Sequence, residues 1–165
     1  MEEEVKEKVE GSSLDQLAGK YLTFALGEED YGIEILTVRE IIGVMEITQI
    51  PQVPTYLRGI INLRGKVIPV VDLRAKFQMP VIEDTEETCI VVVSVQEVYI
   101  GVLIDRVNEV LDVKRENIEP PPKFGSTISS DYILGIGKIN DSIKILLGIE
   151  KVLIDDISRA QDISN

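Results

Sequence analysis

Residues 59–74 read GIINLRGKVIPVVDLR, and this stretch decides the fold class. Two runs rich in isoleucine and valine, 59–63 and 66–71, flank Arg64 and Gly65. Branched side chains fit a pleated strand, and a glycine between two such runs is typical of a tight hairpin turn. The stretch therefore predicts a β-hairpin with Arg64 and Gly65 at its tip.

The same pattern occurs twice in the chain. Gly59 matches Gly135 at an offset of 76 residues, and residues 24–41 match 93–110 at an offset of 69. The chain also contains 24 Ile and 19 Val against 4 Ala, which favours strands over helices. Small curved sheets avoid open edges by closing, so we expect a mainly β protein of two pseudo-symmetric β-barrels with about five strands each.

Helices are expected at two places. The apolar spacing of residues 35–42 fits a short connecting helix that ends at Gly43. The apolar spacing of residues 149–157 predicts an amphipathic C-terminal helix over 150–163.

These elements suggest a simple division of the chain. Residues 1–19 carry few large apolar side chains and are expected to form a flexible tail. Residues 20–157 should form one domain, with one lobe over about 20–85 and the other over about 86–150.

Composition excludes several classes of function. A net charge of −12 argues against nucleic acid and anionic membranes as partners. The chain has no histidine and one cysteine, Cys89, which removes His-based nucleophile systems and His- or Cys-based metal sites. Phosphate-binding and dinucleotide-binding glycine motifs are absent from the sequence. We therefore expect a non-enzymatic protein with no catalytic residue, metal or cofactor.

Location follows from similar arguments. The longest uninterrupted apolar run, residues 89–93, is too short to cross a membrane, so no direct membrane insertion is expected. The N-terminus lacks the apolar segment of a secretory signal, and one cysteine cannot form an internal disulfide. A cytoplasmic location is expected.

Charge is unevenly distributed along the chain. Residues 39–78 contain six Lys or Arg, Arg58 and Arg64 among them, against three acids, whereas the rest is strongly acidic. Such a segment can steer docking to a protein partner, or it can be a set of rim residues with no partner. Arg64 projects from a hairpin tip and can form a bidentate pair with a carboxylate. Glu40 either pairs with a nearby Arg or faces a partner.

Six segments resemble the CheW family, the coupling proteins of bacterial chemotaxis. They are YLTFALG at 21–27, YGIEI at 31–35, VREII at 38–42, GIINLRGKVIPVVDLR at 59–74, IGVLIDRV at 100–107 and GIGK at 135–138. The resemblance covers residues 20–157 and implies two intertwined five-stranded β-barrels. It also implies a scaffold that binds the cytoplasmic tip of methyl-accepting chemotaxis receptors and the CheW-like regulatory domain of the histidine kinase CheA. These proteins assemble into arrays at the inner membrane, and a second copy of the chain is a further candidate partner.

The resemblance also implies a set of partner-binding residues. Glu40, Gly59 and Arg64 match family positions implicated in these contacts. Asn62, Leu63 and Gly65 are added because they belong to the same turn as Arg64, and Arg58 is added from the basic segment. An apolar groove near Ile35, Val38 and Ile41 is the weaker expectation for docking the receptor's helical hairpin. The full set of candidates is Ile35, Val38, Glu40, Ile41, Arg58, Gly59, Asn62, Leu63, Arg64 and Gly65.

Two other functions fit an all-β protein of this size. A small-molecule-binding or hydrolytic barrel would need a closed pocket with convergent polar groups. A purely structural domain would only associate with itself.

Overall fold

The computed structural model describes residues 14–121 and 130–164. Within these ranges the chain is mainly β, as predicted. The strands are β1 (Gly19–Leu26), β2 (Glu29–Glu34), β3 (Val38–Gly43), β4 (Leu57–Leu63), β5 (Lys66–Asp72), β6 (Cys89–Val95), β7 (Val98–Ile104), β8 (Arg106–Val113), β9 (Ile118–Glu119), β10 (Ile133–Ile139) and β11 (Ser142–Leu147). The α-helices are α1 (Leu73–Lys76), α2 (Ile149–Val152) and α3 (Ile154–Ser164).

The strands form two sheets with the same internal order. Lobe A is the six-stranded sheet β8-β1-β2-β11-β10-β9, and lobe B is the five-stranded sheet β3-β6-β7-β5-β4. The repeat matches them strand for strand, because β8, β1, β2, β11 and β10 correspond to β3, β6, β7, β5 and β4. Each lobe also has one parallel pair, β2 with β11 and β5 with β7. The predicted pseudo-symmetric pair of lobes is confirmed.

Neither sheet closes completely into a barrel, which corrects one part of the prediction. In lobe B the open gap lies between the edge strands β3 and β4. One bridge partly spans it: the amides and carbonyls of Thr48 and Ile60 exchange two hydrogen bonds of 2.8 Å. The strands of lobe B therefore nearly surround its interior, although β3 and β4 do not pair with each other.

The sheets do not follow the division into residues 20–85 and 86–150. Lobe A takes β1 and β2 from the first repeat and β8 to β11 from the second. Lobe B takes β3 to β5 from the first and β6 and β7 from the second. The two repeats therefore exchange their first hairpins, and this exchange is what intertwines the lobes.

The region predicted as a helix over 35–42 is mostly a strand. A single 3-10 turn, Ile35–Thr37, leads into β3, which pairs with β6 in an antiparallel ladder. The spacing of apolar residues was ambiguous over so short a run. Strand β3 alternates half-buried and exposed residues. Its pairing with the buried strand β6 therefore makes this stretch a strand and not a helix.

Both chain ends differ in detail from the expectation. Residues 1–13 of the predicted tail lie outside the described residues, but 14–19 do not form a free tail. Leu14 and Leu17 pack against the interior of lobe A, and Gly19 begins β1. At the other end, the predicted helix over 150–163 is divided between α2 and α3.

The apolar core of the described residues is divided into three clusters. Each lobe has its own interior, around Ile61 and Ile90 in lobe B and around Tyr21 and Leu146 in lobe A. The largest cluster lies between the lobes and is covered by α2 and α3. Strand β6 sends alternate side chains to the lobe interior and to this central core, which explains its uninterrupted apolar run.

An ion pair fixes one lobe against the other. The guanidinium of Arg74 in α1 donates from Nε and Nη2 to the two carboxylate oxygens of Asp105, at 2.7 Å each. The Gly27 amide, in the turn between β1 and β2, also donates to Asp105, at 2.7 Å. Burial alone would raise the pKa of Asp105, but these hydrogen bonds outweigh it and hold the pKa below its usual range. Asp105 therefore joins the β1–β2 turn of lobe A to α1, which follows β5 of lobe B.

Within the described residues, no helix has the length and apolar character needed to span a membrane.

Candidate partner-binding site

The hairpin tip predicted from residues 59–74 is present. Arg64 and Gly65 both have positive φ, 51° and 88°, as a two-residue type I′ turn requires. The side-chain oxygen of Asn62 accepts a hydrogen bond of 2.9 Å from the Gly65 amide, which fixes the turn. The Arg64 side chain projects from this fixed turn and is 71% exposed.

Glu40 forms an ion pair with Arg64. Glu40 lies on β3, at one edge of lobe B, and Arg64 follows β4, at the other edge. A guanidinium N–H of Arg64 donates to Oε1 of Glu40, so the pair spans the gap between the edge strands. The sequence left open whether Glu40 pairs with an arginine or faces a partner. In the structure it pairs, and it orients Arg64 while leaving other guanidinium donors free to point outward.

A shallow depression, the tip basin, opens at this end of lobe B. It has a volume of about 350 Å³ and an apolar floor that includes Ile68 and Val92. Its rim carries Arg39, Arg64 and Lys66, and Lys66 Nζ lies 4.1 Å from the ring centre of Tyr99. Three of the six basic residues of the 39–78 segment therefore lie around the tip basin.

Gly59 has a different place. It is buried, with φ of 145°, and a Cβ atom at this position would lie 2.1 Å from the carbonyl oxygen of Thr48. Only a glycine lets β4 approach the 44–50 segment closely enough for the Thr48–Ile60 bridge. Gly59 therefore has a structural role: it permits close packing of two backbone segments.

Arg58 lies at the opposite end of lobe B from the tip. Its guanidinium contacts Asp72 at 3.3 Å and Asp84 at 3.5 Å. Of the candidate set, the structure brings together at the tip Glu40, Asn62, Leu63, Arg64 and Gly65. Arg58 and Gly59 lie apart from them.

Ile35, Val38 and Ile41 do not line one groove. Ile35 and Val38 are half-buried against the central core, whereas Ile41 lies exposed on the outer face of β3. The groove expected near these three positions is not formed, because residues 38–43 are a strand and a strand does not keep its residues on one face as a helix would.

The sequence reasoning missed Leu36 and the surface beside it. Leu36 is 82% exposed, in the 3-10 turn between the lobes. Next to this turn is an inter-lobe depression of about 850 Å³, lined by Thr37, Val95, Tyr132, Leu134, Ile149 and Ile154 among others. No signal within the sequence identified it, because its wall combines β6, β10 and α2, which are far apart in the chain.

Comparisons with known proteins agree with this architecture. The family model described as "CheW-like domain" matches residues 20–156. The chain is 37% identical over 147 residues to the chemotaxis protein CheW of Klebsiella aerogenes, covering 86% of this chain and 89% of that protein. It is 36% identical over 135 residues to the chemotaxis protein CheW of Treponema pallidum, covering 79% of each.

A solved structure shows the same fold. The scaffolding protein TtCheW from Thermoanaerobacter tengcongensis superposes with a TM-score of 0.74 at 37% sequence identity, covering 79% of this chain and 89% of that one. The family match, the identities and the shared arrangement of two β lobes all point to one assignment. The chain belongs to the CheW family.

Proposed function

We propose that this protein is a non-catalytic adaptor of bacterial chemotaxis that couples methyl-accepting chemotaxis receptors to the histidine kinase CheA. One observation supports the proposal: the two-lobed body has two separate surface depressions, the tip basin and the inter-lobe depression. An adaptor needs two such surfaces so that both partners bind at once. The adaptor acts in the cytoplasm and is recruited to receptor arrays at the inner membrane.

The tip basin is the kinase-docking surface. Arg64 is well exposed, held by Glu40 and supported by a turn that Asn62 stabilises. Preorganised arginines at the edge of an apolar patch are frequent energetic centres of protein interfaces. The partner is the CheW-like regulatory domain of CheA, which would present a carboxylate to Arg64 and apolar side chains to the basin floor.

Replacing Arg64 by alanine is expected to raise the dissociation constant for the isolated regulatory domain of CheA by roughly tenfold or more. The fold should be unaffected, because Arg64 is exposed at a turn and alanine meets the same steric cost as arginine at its φ of 51°. Isothermal titration calorimetry gives the affinity, and thermal unfolding checks the fold. Arg106→Ala, an exposed arginine on lobe A, is the matched control. Equal affinities of Arg64→Ala and wild type would remove Arg64 from the interface.

The inter-lobe depression is the receptor-docking surface. Receptor tips are helical hairpins, and a helix docks by placing an apolar face in an apolar groove. The depression has apolar walls from both lobes, Ile154 is exposed in its lining, and the exposed Leu36 precedes Thr37, which also lines it. Exposed large apolar side chains beside a groove are typical of an interaction surface.

Replacing Leu36 by serine is expected to reduce binding to receptor-tip fragments by about thirtyfold, since burying a leucine contributes about 2 kcal/mol. Affinity for the CheA regulatory domain should stay unchanged, which separates the two surfaces. Biosensor binding to an immobilised receptor hairpin would measure the loss. Ile143→Ser serves as a control, because Ile143 is similarly exposed but lies on β11 of lobe A. A loss of kinase binding instead would reverse the assignment of the surfaces.

The adaptor role as a whole is tested by co-sedimentation. Receptor-containing membranes should pellet CheA only when this protein is present. The Arg64→Ala variant should pellet with receptors but bring down less kinase, and the Leu36→Ser variant should stay in the supernatant with its bound kinase. If CheA pellets equally with and without the protein, the coupling function is rejected.

A further inference from the structure

The inter-lobe depression has a pseudo-symmetric counterpart between the same two lobes. The repeat offsets of 69 and 76 residues relate positions that line the depression to positions that line a second, closed site, the ionic groove. The equivalent pairs, with the residue of the depression first, are Glu34 and Leu103, Leu134 and Arg58, Gly148 and Asp72, and Glu150 and Arg74. The repeat therefore produces two inter-lobe grooves and not one.

The two grooves differ in their free volume. The depression measures about 850 Å³, whereas the ionic groove measures about 20 Å³. The connecting loop, residues 78–88, joins α1 to β6 and contributes Ile82, Asp84 and Thr88 to the lining of the ionic groove. After α2 the chain continues into α3 instead, and among the described residues of that helix only Ile154 lines the depression. The loop thus fills one groove, while no described segment fills the other.

Two arginines hold the connecting loop in the ionic groove. Arg58 Nη2 lies 3.5 Å from a carboxylate oxygen of Asp84, and Arg74 donates from Nη1 to the Pro80 carbonyl at 2.9 Å. Ile82 lines the same groove and is 43% exposed, so more than half of its surface is covered. An ion pair, a hydrogen bond and an apolar side chain together keep the loop in the groove.

The positions that bind the loop are also those at which the two grooves differ in chemistry. Arg58 stands where the depression has Leu134, and Arg74 stands where it has Glu150. A leucine side chain cannot pair with a carboxylate, and a carboxylate has no hydrogen to donate to a carbonyl. The depression therefore lacks both anchors at these positions, which agrees with its open state.

We infer that the connecting loop is a strap that closes the second of two pseudo-equivalent helix-docking grooves, and so limits each copy of the protein to one receptor hairpin. The inference rests on the proposed receptor-docking role of the inter-lobe depression. Beneath the strap, Leu103 and Ile104 supply apolar side chains of the kind that a docked helix buries. With both grooves open, one copy would join two receptors to each other. With one groove closed, a single copy links one receptor to one kinase.

A variant whose loop cannot occupy the groove tests the strap. This strap variant replaces residues 80–86 by the same number of glycine and serine residues and carries Arg58→Leu, which copies Leu134 of the open groove. Calorimetry and native mass spectrometry with a receptor-tip hairpin fragment count the hairpins bound. The wild type should bind one hairpin per chain, and the strap variant should bind two. The second hairpin should bind more weakly, because the Arg74–Asp105 ion pair remains in the groove.

The controls separate the two grooves. Val81→Ser/Glu83→Ser is the matched control, because both residues belong to the loop but neither lines the groove, and it should bind one hairpin. Adding Leu36→Ser to the strap variant should weaken the first site alone, because the position equivalent to Leu36 in the ionic groove is Asp105. Affinity for the CheA regulatory domain and thermal unfolding check the fold. If the strap variant does not fold, Arg58→Leu/Ile82→Gly/Asp84→Ser, which keeps the rest of the loop, is counted in its place.

The gain of one hairpin relative to the wild type decides the inference. A folded strap variant that binds no more hairpins than the wild type overturns it, whether the wild type binds one hairpin or none. A loop control that also gains a hairpin overturns it too, because the gain would then not come from opening the groove. A wild type that binds no hairpin rejects the depression as the receptor surface, and a gain of one hairpin in that case still supports the strap.

Discussion

Replacing Asp156 by alanine is expected to destabilise the protein by about 3–5 kcal/mol, the largest effect we expect from a single side chain. Asp156 is fully buried in α3, where its carboxylate accepts from Lys76 Nζ at 2.5 Å and from Arg159 Nη1 at 3.0 Å. Lys76 is itself buried and lies 4.5 Å from the ring centre of Tyr56. Removing the carboxylate leaves an ammonium group in the interior without its counter-charge. Urea unfolding monitored by circular dichroism measures the loss.

Two variants make this prediction specific. Asp155→Ala, one residue earlier and exposed, removes the same charge from α3 and should change stability by less than about 0.5 kcal/mol. The double variant Asp156→Ala/Lys76→Met removes both buried charges and should recover much of the loss, because breaking a pair costs more than deleting it. A loss below about 1 kcal/mol for Asp156→Ala would show that Lys76 reaches water in the variant.

Replacing Gly59 by alanine is expected to cost about 3 kcal/mol or more, from backbone strain and the loss of the Thr48–Ile60 bridge. The new methyl group would lie 2.1 Å from a backbone carbonyl oxygen, which no rotamer change can relieve. The φ of 145° adds strain for any residue with a Cβ atom. Thermal unfolding should show a large fall in Tm.

Gly43→Ala is the matched control for this variant. Gly43 ends β3 in the same lobe, and a Cβ atom there meets nothing within 4 Å. Its stability should stay within about 0.5 kcal/mol of wild type. At temperatures where Gly59→Ala is folded, its affinity for CheA should remain close to wild type, because Gly59 is buried. A stable Gly59→Ala protein with weakened kinase binding would instead make Gly59 a direct contact.

The sequence predicted the repeat but not the partition of strands between lobes. Glycines and branched residues recur at fixed offsets because corresponding strands have the same environment, so the pseudo-symmetry was visible in Gly59 and Gly135. The exchange of hairpins was not visible, because a repeat specifies each unit but not which unit it pairs with. Residues 38–43 also form a strand because they pair with β6, which is distant in the sequence. That stretch carries too few apolar residues to distinguish a helix from an alternating strand.

The candidate site was predictable only where local turn chemistry defines it. Arg64 and Gly65 lie at the tip because their φ angles and the Asn62 side chain make a turn within four residues. The pairing of Arg64 with Glu40 joins residues 24 positions apart across a gap between strands, and no local pattern records that proximity. Gly59 was a candidate because it matches a family position implicated in partner contacts, whereas its environment depends on the crossing of the 44–50 segment.

The exchange of hairpins between repeats also constrains how the chain can be made. Strands β1 and β2 precede the other described strands in the chain, yet their neighbours in the sheet are β8 and β11, which follow all the strands of lobe B. The β1–β2 hairpin must therefore wait for its sheet partners until β8 and β11 have been synthesised. Lobe B, by contrast, has all its strands once β7 has been synthesised, so its sheet can form before that of lobe A, and a chain that stopped after β7 would lack the strands that complete lobe A.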